Sequence, residues 1–177
     1  MIDVSGYGKA LFELAQENGT DERVRRELEL IRSALRQDPS YITLLDTPAV
    51  AKEEKLSLVR EAFGGVEESL MSFLCILCEK RSVYALSACA DAFDRCYDEA
   101  HGILRATAVT AIPMSAAQNA ALTQRLAAMT GKQIVLTNEL DPALLGGITL
   151  RYGGVQLDDS IHSRLEQLSR SLRETIV

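Results

Sequence analysis

The chain has no tryptophan, and phenylalanine and tyrosine together make up only 5% of its 177 residues. Apolar residues nevertheless reach 47%, so the core has to be assembled from Leu, Ala, Val and Ile. Ala and Leu lose little entropy in a helix, and this palette favours helical structure. Long hydrophobic runs are also missing. The longest, Leu70 to Cys78, is broken by Ser72 and falls well short of the ~20 residues that a bilayer demands. The opening residues, Met1 to Tyr7, carry neither a basic n-region nor an apolar h-region, and they lack the Arg- and Ser-rich character of a transit peptide. A soluble, intracellular protein is therefore expected, a setting that disfavours structural disulfides.

Excess positive charge is lacking too. The net charge is −6, and it is uneven. Residues 1–101 hold 12 Lys+Arg against 19 Asp+Glu, whereas residues 102–177 hold 7 against 6. Neither half offers the basic footprint that nucleic acid or anionic lipid requires. No nucleic-acid partner and no direct membrane insertion are expected.

The usual signs of chemistry are scarce. A phosphate loop needs Gly-x-x-x-x-Gly-Lys-Ser/Thr, but Gly8-Lys9 has Asp3 at the first glycine position and Ala10 at the hydroxyl position, and Gly131-Lys132 is followed by Gln133. Gly146-Gly147 and Gly153-Gly154 lack dinucleotide-binding spacing. His101 and His162 have no plausible nucleophile near them in sequence and read as surface or capping residues. The pairs Glu53-Glu54, Glu67-Glu68 and Asp158-Asp159 fall at helix starts, where the helix dipole accounts for them. Cys75-x-x-Cys78, with Cys89 and Cys96 behind it, lies mid-helix among core-type residues. A reactive pair would sit at a helix N-terminus, so these thiols read as small hydrophobes. No catalytic residue, cofactor site or metal site is expected.

What is present is a run of helix signals followed by a change of period. Asp3 or Ser5 opens a first helix that Gly19 closes, and Thr20 caps a second with Val24, Leu28, Ile31 and Leu35 on one face. A short third helix follows Pro39, around Tyr41–Leu45. Thr47-Pro48 is placed to start a fourth, which Gly64-Gly65 ends. A fifth covers about Glu67–Lys80, and Ser82 caps a long sixth with Leu86, Ala90, Phe93, Tyr97 and Ala100. After Gly102 the pattern predicts a strand over Leu104–Ile112, then a helix with a Ser115–Gln118 capping box that Gly131 stops. Another strand is predicted over Ile134–Leu140, and a hairpin turns at Gly153-Gly154 between Ile148–Tyr152 and Val155–Leu157. Asp159 or Ser160 would cap a last helix bearing Ile161, Leu165, Leu168 and Leu172. The expected fold is mainly α: a six-helix bundle over residues 1–101, then a smaller α/β domain over 102–177.

Two helices carry more apolar surface than one bundle face can hide. In the first, Tyr7, Leu11 and Leu14 make one stripe and Val4, Gly8, Phe12 and Ala15 another. In the fifth, Leu70, Phe73, Leu74 and Leu77 form the main stripe and Ile76 falls off it. Such helices are either central to the bundle or completed by a partner. Side by side, they would form a groove for an incoming amphipathic helix.

Tyr7-Gly8-Lys9-Ala10-Leu11-Phe12-Glu13-Leu14-Ala15 resembles the opening of the ATP synthase delta subunit family, typically Tyr-Ala-Lys-Ala-Leu-Phe and then an apolar, Ala-containing turn. Leu144-Leu145-Gly146-Gly147-Ile148-Thr149-Leu150-Arg151, with Leu157-Asp158-Asp159-Ser160-Ile161 and Arg164-Leu165, is similar to that family's C-terminal signature. The mitochondrial oligomycin-sensitivity-conferring protein shares the family. Gly6 and Gly8 stand where it often has Arg and Ala, a change that would loosen the first helix, and Asp159 stands where it usually has Gly, which would alter the turn before the last helix. The resemblance implies a non-catalytic stator subunit without cofactor, peripheral on the cytoplasmic face of a bacterial inner membrane. It implies that the helical domain binds the N-terminal helix of an alpha subunit, through Tyr7, Ala10, Leu11, Leu14 and Ile76. It implies that the C-terminal domain, whose signature residues are Gly146, Gly147, Arg151, Asp158, Ser160, Arg164 and Leu165, engages the C-terminus of the b-subunit stalk. The rival readings are an all-helical regulatory adaptor with a fused α/β module, and a thiol-dependent redox or zinc protein.

Overall fold

A computed structural model describes residues 3–144, 146–153 and 155–160, with the backbone alone at 155 and 157–160. The chain divides into two compact units, Met1–Asp98 and Glu99–Val177. It is mainly helical, with a small sheet in the second unit.

The first unit runs α1 (Val4–Glu17), α2 (Asp21–Gln37), α3 (Pro39–Asp46), α4 (Lys52–Ala62), α5 (Glu68–Glu79), a 3-10 turn (Val83–Ala85) and α6 (Leu86–Ala100). Local signals set several of these boundaries. The Asp3 carboxylate accepts from the Gly6 N–H at 3.0 Å and opens α1, and Gly19 leaves it at φ +66, a conformation glycine adopts freely. Thr20 occupies the N-cap of α2 but makes no capping bond with its side chain. Val24, Leu28, Ile31 and Leu35 of α2 are all buried, as their spacing predicts. The Glu67 carboxylate accepts from the Ser69 and Leu70 N–H groups at the start of α5.

Two helices begin later than the sequence predicts. Thr47 is extended and serves as the C-cap of α3, and α4 starts at Lys52 rather than at Pro48. Lys55 explains the gap. It is 4% exposed, and its Nζ donates to the carbonyl of Leu45 at 2.6 Å and also to that of Thr47, which holds residues 47–51 as a connection. Ser82, likewise, does not cap the sixth helix with its side chain. The Asp46 carboxylate, from the end of α3, accepts from the N–H groups of Val83 and Tyr84 at 3.0 and 3.2 Å. A 3-10 turn forms there, and α6 follows it.

The core of this unit is aliphatic, with few rings. Ala15, Val24, Leu70, Leu77 and Phe93 are fully buried, and Phe12 meets Phe93 edge-to-face at 5.6 Å. An ion-pair seam joins α2 to α6: Arg25 to Asp94 at 2.9 Å and Arg32 to Asp91 at 2.7 Å. The Arg25 guanidinium also stacks 4.5 Å from the centre of the Tyr97 ring.

In the second unit β1 (Ile103–Thr110), α7 (Ala116–Thr130), β2 (Gln133–Leu140), β3 (Gly147–Tyr152) and β4 (Val155–Ser160) build a four-stranded sheet of order β2-β1-β3-β4. β1 and β2 are parallel, joined by the α7 crossover, and the other pairs are antiparallel. The capping box is formed, with the Ser115 side chain accepting from Gln118 N–H, and Gly131 ends α7 at φ +68. Ala106, Ala108, Leu126 and Leu150 make the small core under α7. β4 runs to Ser160, so Asp159 pairs with Ile148 in the ladder and stands in a strand, not in the turn expected there. The predicted last helix lies outside the described residues.

Candidate partner-docking groove on the helical unit

The two apolar stripes of α1 have different fates. Gly8, Leu11, Phe12 and Ala15 are buried. Gly8 is in direct contact with α6: a Cβ there would meet the Cys89 carbonyl oxygen, the Ala92 Cβ at 2.6 Å and the Phe93 backbone nitrogen at 3.1 Å. The helix is therefore tightly seated on α6 at Gly8, whereas at Gly6 the nearest atoms belong to the Asp3 side chain of its own cap. The other stripe stays open. Tyr7 is half-buried, Ala10 is exposed and Leu14 is 44% exposed. Leu11, at 4%, belongs to the core.

Helix α5 packs against α1 and α4. Ser69, Leu70, Phe73, Leu74, Leu77 and Cys78 face inward, whereas Glu68, Ser72, Ile76 and Glu79 face out, with Ile76 43% exposed. The helix thus keeps one open face and is not a fully enclosed core helix. Two contacting helices, each with a large apolar side chain more than two-fifths exposed, are the raw material of a helix-in-groove site.

An apolar cleft of about 300 Å³ was not legible in the sequence. It runs along α2 at Leu30, Ile31 and Ala34 and is closed by Phe63 and Val66. Leu30 is 70% exposed, and its position off the Val24–Leu35 stripe was the available signal. A cavity of about 160 Å³ between α4 and α5 is lined by Lys55, Cys78 and Arg81. Its lysine holds the carbonyls of α3, and Lys52 is paired with Glu79 at 3.2 Å.

The cysteines do not assemble a reactive centre. All four are free; Cys78 and Cys89 are buried, and Cys75 and Cys96 are half-buried. Burial pushes the Cys78 thiol up, and burial together with the charge of Asp3 pushes Cys89 up to about 11, the reverse of a nucleophilic thiol. Among the described residues no group of three or more His, Cys, Asp or Glu side chains is placed to hold a metal. Among the same residues, no helix is long and apolar enough to cross a membrane.

The C-terminal signature is spread over a hairpin. Gly146 and Gly147 adopt φ values of +143 and +88 where the chain enters β3. Arg151 is exposed, 3.9 Å from Glu139 of β2. Asp158 and Ser160 stand in β4, opposite Thr149 and Gly147. Arg164 and Leu165 lie outside the described residues.

The structure is that of a two-unit, mainly helical protein with apolar side chains exposed on contacting helices. Residues 4–172 match the family described as ATP synthase delta (OSCP) subunit, and the chain belongs to that family. The ATP synthase subunit delta of Enterococcus faecalis is 34% identical over 167 residues, spanning 94% of this chain and 93% of that one. That of Lysinibacillus sphaericus is 34% identical over 167 residues, with 94% of each chain covered. A solved chain from the cryo-EM structure of the Toxoplasma gondii mitochondrial ATP synthase hexamer is similar across 97% of this chain and 98% of its own, with a TM-score of 0.72 and 28% identity.

Proposed function

We propose that this chain is the non-catalytic stator subunit that links the alpha/beta headpiece of an F-type ATP synthase to its b-subunit peripheral stalk. In this role it works at the cytoplasmic face of the membrane as a peripheral component. It keeps the alpha/beta ring from turning with the central rotor, so that proton-driven rotation does work on the catalytic sites. α1–α6 act as one six-helix bundle whose α1/α5 groove receives the N-terminal helix of an alpha subunit, through Tyr7, Ala10, Leu14 and Ile76 above a floor at Leu11. The second unit, with its signature hairpin, engages the stalk end.

The observation that carries this reading is the pair of contacting helices, α1 and α5, that leave Leu14 and Ile76 more than two-fifths exposed. A firm joint needs apolar contact area and no chemistry, and the buried, high-pKa thiols argue against the rival thiol reading.

Calorimetric titration with a synthetic peptide of the cognate alpha-subunit N-terminus tests the groove. Saturable binding is expected, and Ile76→Asp should weaken it at least thirtyfold, the loss of about 2 kcal/mol at a hot spot. Because Ile76 faces outward, that variant should keep its helical content. Full-strength binding by Ile76→Asp would remove α5 from the groove, and absence of binding by the wild type would remove the groove itself. A delta subunit acting only as a joint should also show no saturable ATP binding at micromolar concentration. Such binding would contradict the non-catalytic reading.

A further inference from the structure

We infer that Gly8 is the positioning residue of the groove: its missing side chain sets how deeply α1 seats on α6, and thereby where Tyr7 and Leu14 stand relative to α5. This rests on the docking reading above. Gly8 lies one residue from Tyr7 and six residues from Leu14, on the face of α1 that turns inward. Three atoms of α6 converge on the place where its Cβ would be: the Cys89 carbonyl oxygen, the Ala92 Cβ at 2.6 Å and the Phe93 nitrogen at 3.1 Å. Two of the three belong to backbone, so a rotamer change relieves neither.

Ordinary contact between non-bonded heavy atoms needs roughly 3.5 Å, so a methyl group at position 8 requires α1 and α6 to separate by roughly 1 Å. A helix moves as a rigid body in a close-packed interior, and interiors transmit such strain. The open stripe of α1 therefore moves with the seam, while α5, which touches α1 but packs more extensively on α4, follows it less. Gly6, two residues earlier, is the natural contrast. The three atoms nearest to a Cβ there all belong to the Asp3 side chain, so a methyl group at position 6 presses first on the helix cap.

The test measures peptide affinity by calorimetry on the full chain, at a temperature where each variant is shown by circular dichroism to be folded. The probe is the synthetic alpha-subunit N-terminal peptide. Gly8→Ala is expected to bind roughly tenfold more weakly, and Gly6→Ala to bind as the wild type does. Leu14→Ala supplies a readout that a merely structural role would not move. If Gly8 positions the stripe, truncating Leu14 should lose much less affinity in the Gly8→Ala background than in the wild type, because the contact is already misplaced. Should Gly8→Ala fail to fold, Ala92→Ser adds one atom to the α6 side of the same seam, and a several-fold loss of affinity is expected.

Folded Gly8→Ala with wild-type affinity, or strictly additive effects with Leu14→Ala, overturns the positioning role while leaving the groove in place. Unchanged affinity of Ala92→Ser does the same where Gly8→Ala cannot be measured. A wild-type chain that does not bind the peptide overturns both readings together.

Discussion

The Cys89 thiol is 1% exposed beneath the crossing of α1 and α6, and its pKa is pushed from 9.0 up to about 11. At pH 8 only about one such thiol in a thousand is ionised. Iodoacetamide at that pH should leave Cys89 unmodified in the native chain while labelling the half-buried Cys75 and Cys96, as read by peptide mass mapping; rapid labelling of Cys89 would mean that the crossing opens readily. The same shift has a consequence for stability. A folded pKa above the unfolded one means that the native state holds its proton more tightly, so this stability is complete below pH 9 and drains away as the pH climbs through 9 to 11. At about 1.4 kcal/mol per unit the full effect is about 3 kcal/mol. Cys78 and Tyr41, both raised chiefly by burial, act in the same direction. Urea midpoints taken from pH 8 to 11 should fall more steeply for the wild type than for Cys89→Ala. That variant starts lower by roughly 1 kcal/mol, the order of a small cavity.

Helix ends in this chain divide into those fixed by neighbours in sequence and those fixed from far away. Asp46 and Ser82 separate the two cases. Ser82 has the residue type and position of an N-cap, yet its hydroxyl donates to the Lys80 carbonyl at 3.0 Å, and Asp46, 37 residues upstream of Val83, provides the cap. Asp46→Ala should therefore lower stability by about 1–2 kcal/mol in urea titration, the usual loss for an N-cap. Ser82→Ala should cost under about 1 kcal/mol, the net worth of one ordinary hydrogen bond. The reverse order would restore Ser82 as the cap. The contrast also explains what could be read in advance. The Asp3 cap, the Ser115–Gln118 box, Gly131 and the hairpin turn at Gly153 each depend on residues within a few positions of one another, and the sequence carries them openly. The start of α4 depends on Lys55 reaching back to Leu45 and Thr47, and the start of α6 depends on Asp46. Spacing rules contain neither. The surplus of apolar surface was legible, because Leu14 lies with Tyr7 on a second stripe of α1 and Ile76 falls off the main stripe of α5. That Gly8 presses on α6 was not, since only packing reveals which atoms stand opposite an absent side chain.

For the molecule as a whole, the question is whether the helical unit is self-sufficient. Several of its described contacts lie within it. The Arg25 and Arg32 pairs end on Asp91, Asp94 and Asp98, the Asp46 and Lys55 caps join α3 to its own neighbours, and Phe12 packs on Phe93. The compact unit ends at Asp98, α6 ends at Ala100, and Gly102 with φ +62 follows. A fragment of residues 1–101 thus keeps every one of these contacts and all of α6. Domains of about this size with their own core fold alone and unfold in one cooperative step. The fragment is expected to show a single sigmoidal thermal transition by circular dichroism. If α1 and α5 form the whole docking site, it should also bind the alpha-subunit peptide with the affinity of the full chain. A fragment without a cooperative transition would mean that the second unit contributes to the stability of the first. A fragment that folds but binds the peptide more than about tenfold weaker would place part of the docking surface beyond residue 101, a difference of about 1.4 kcal/mol that the groove residues alone would not explain.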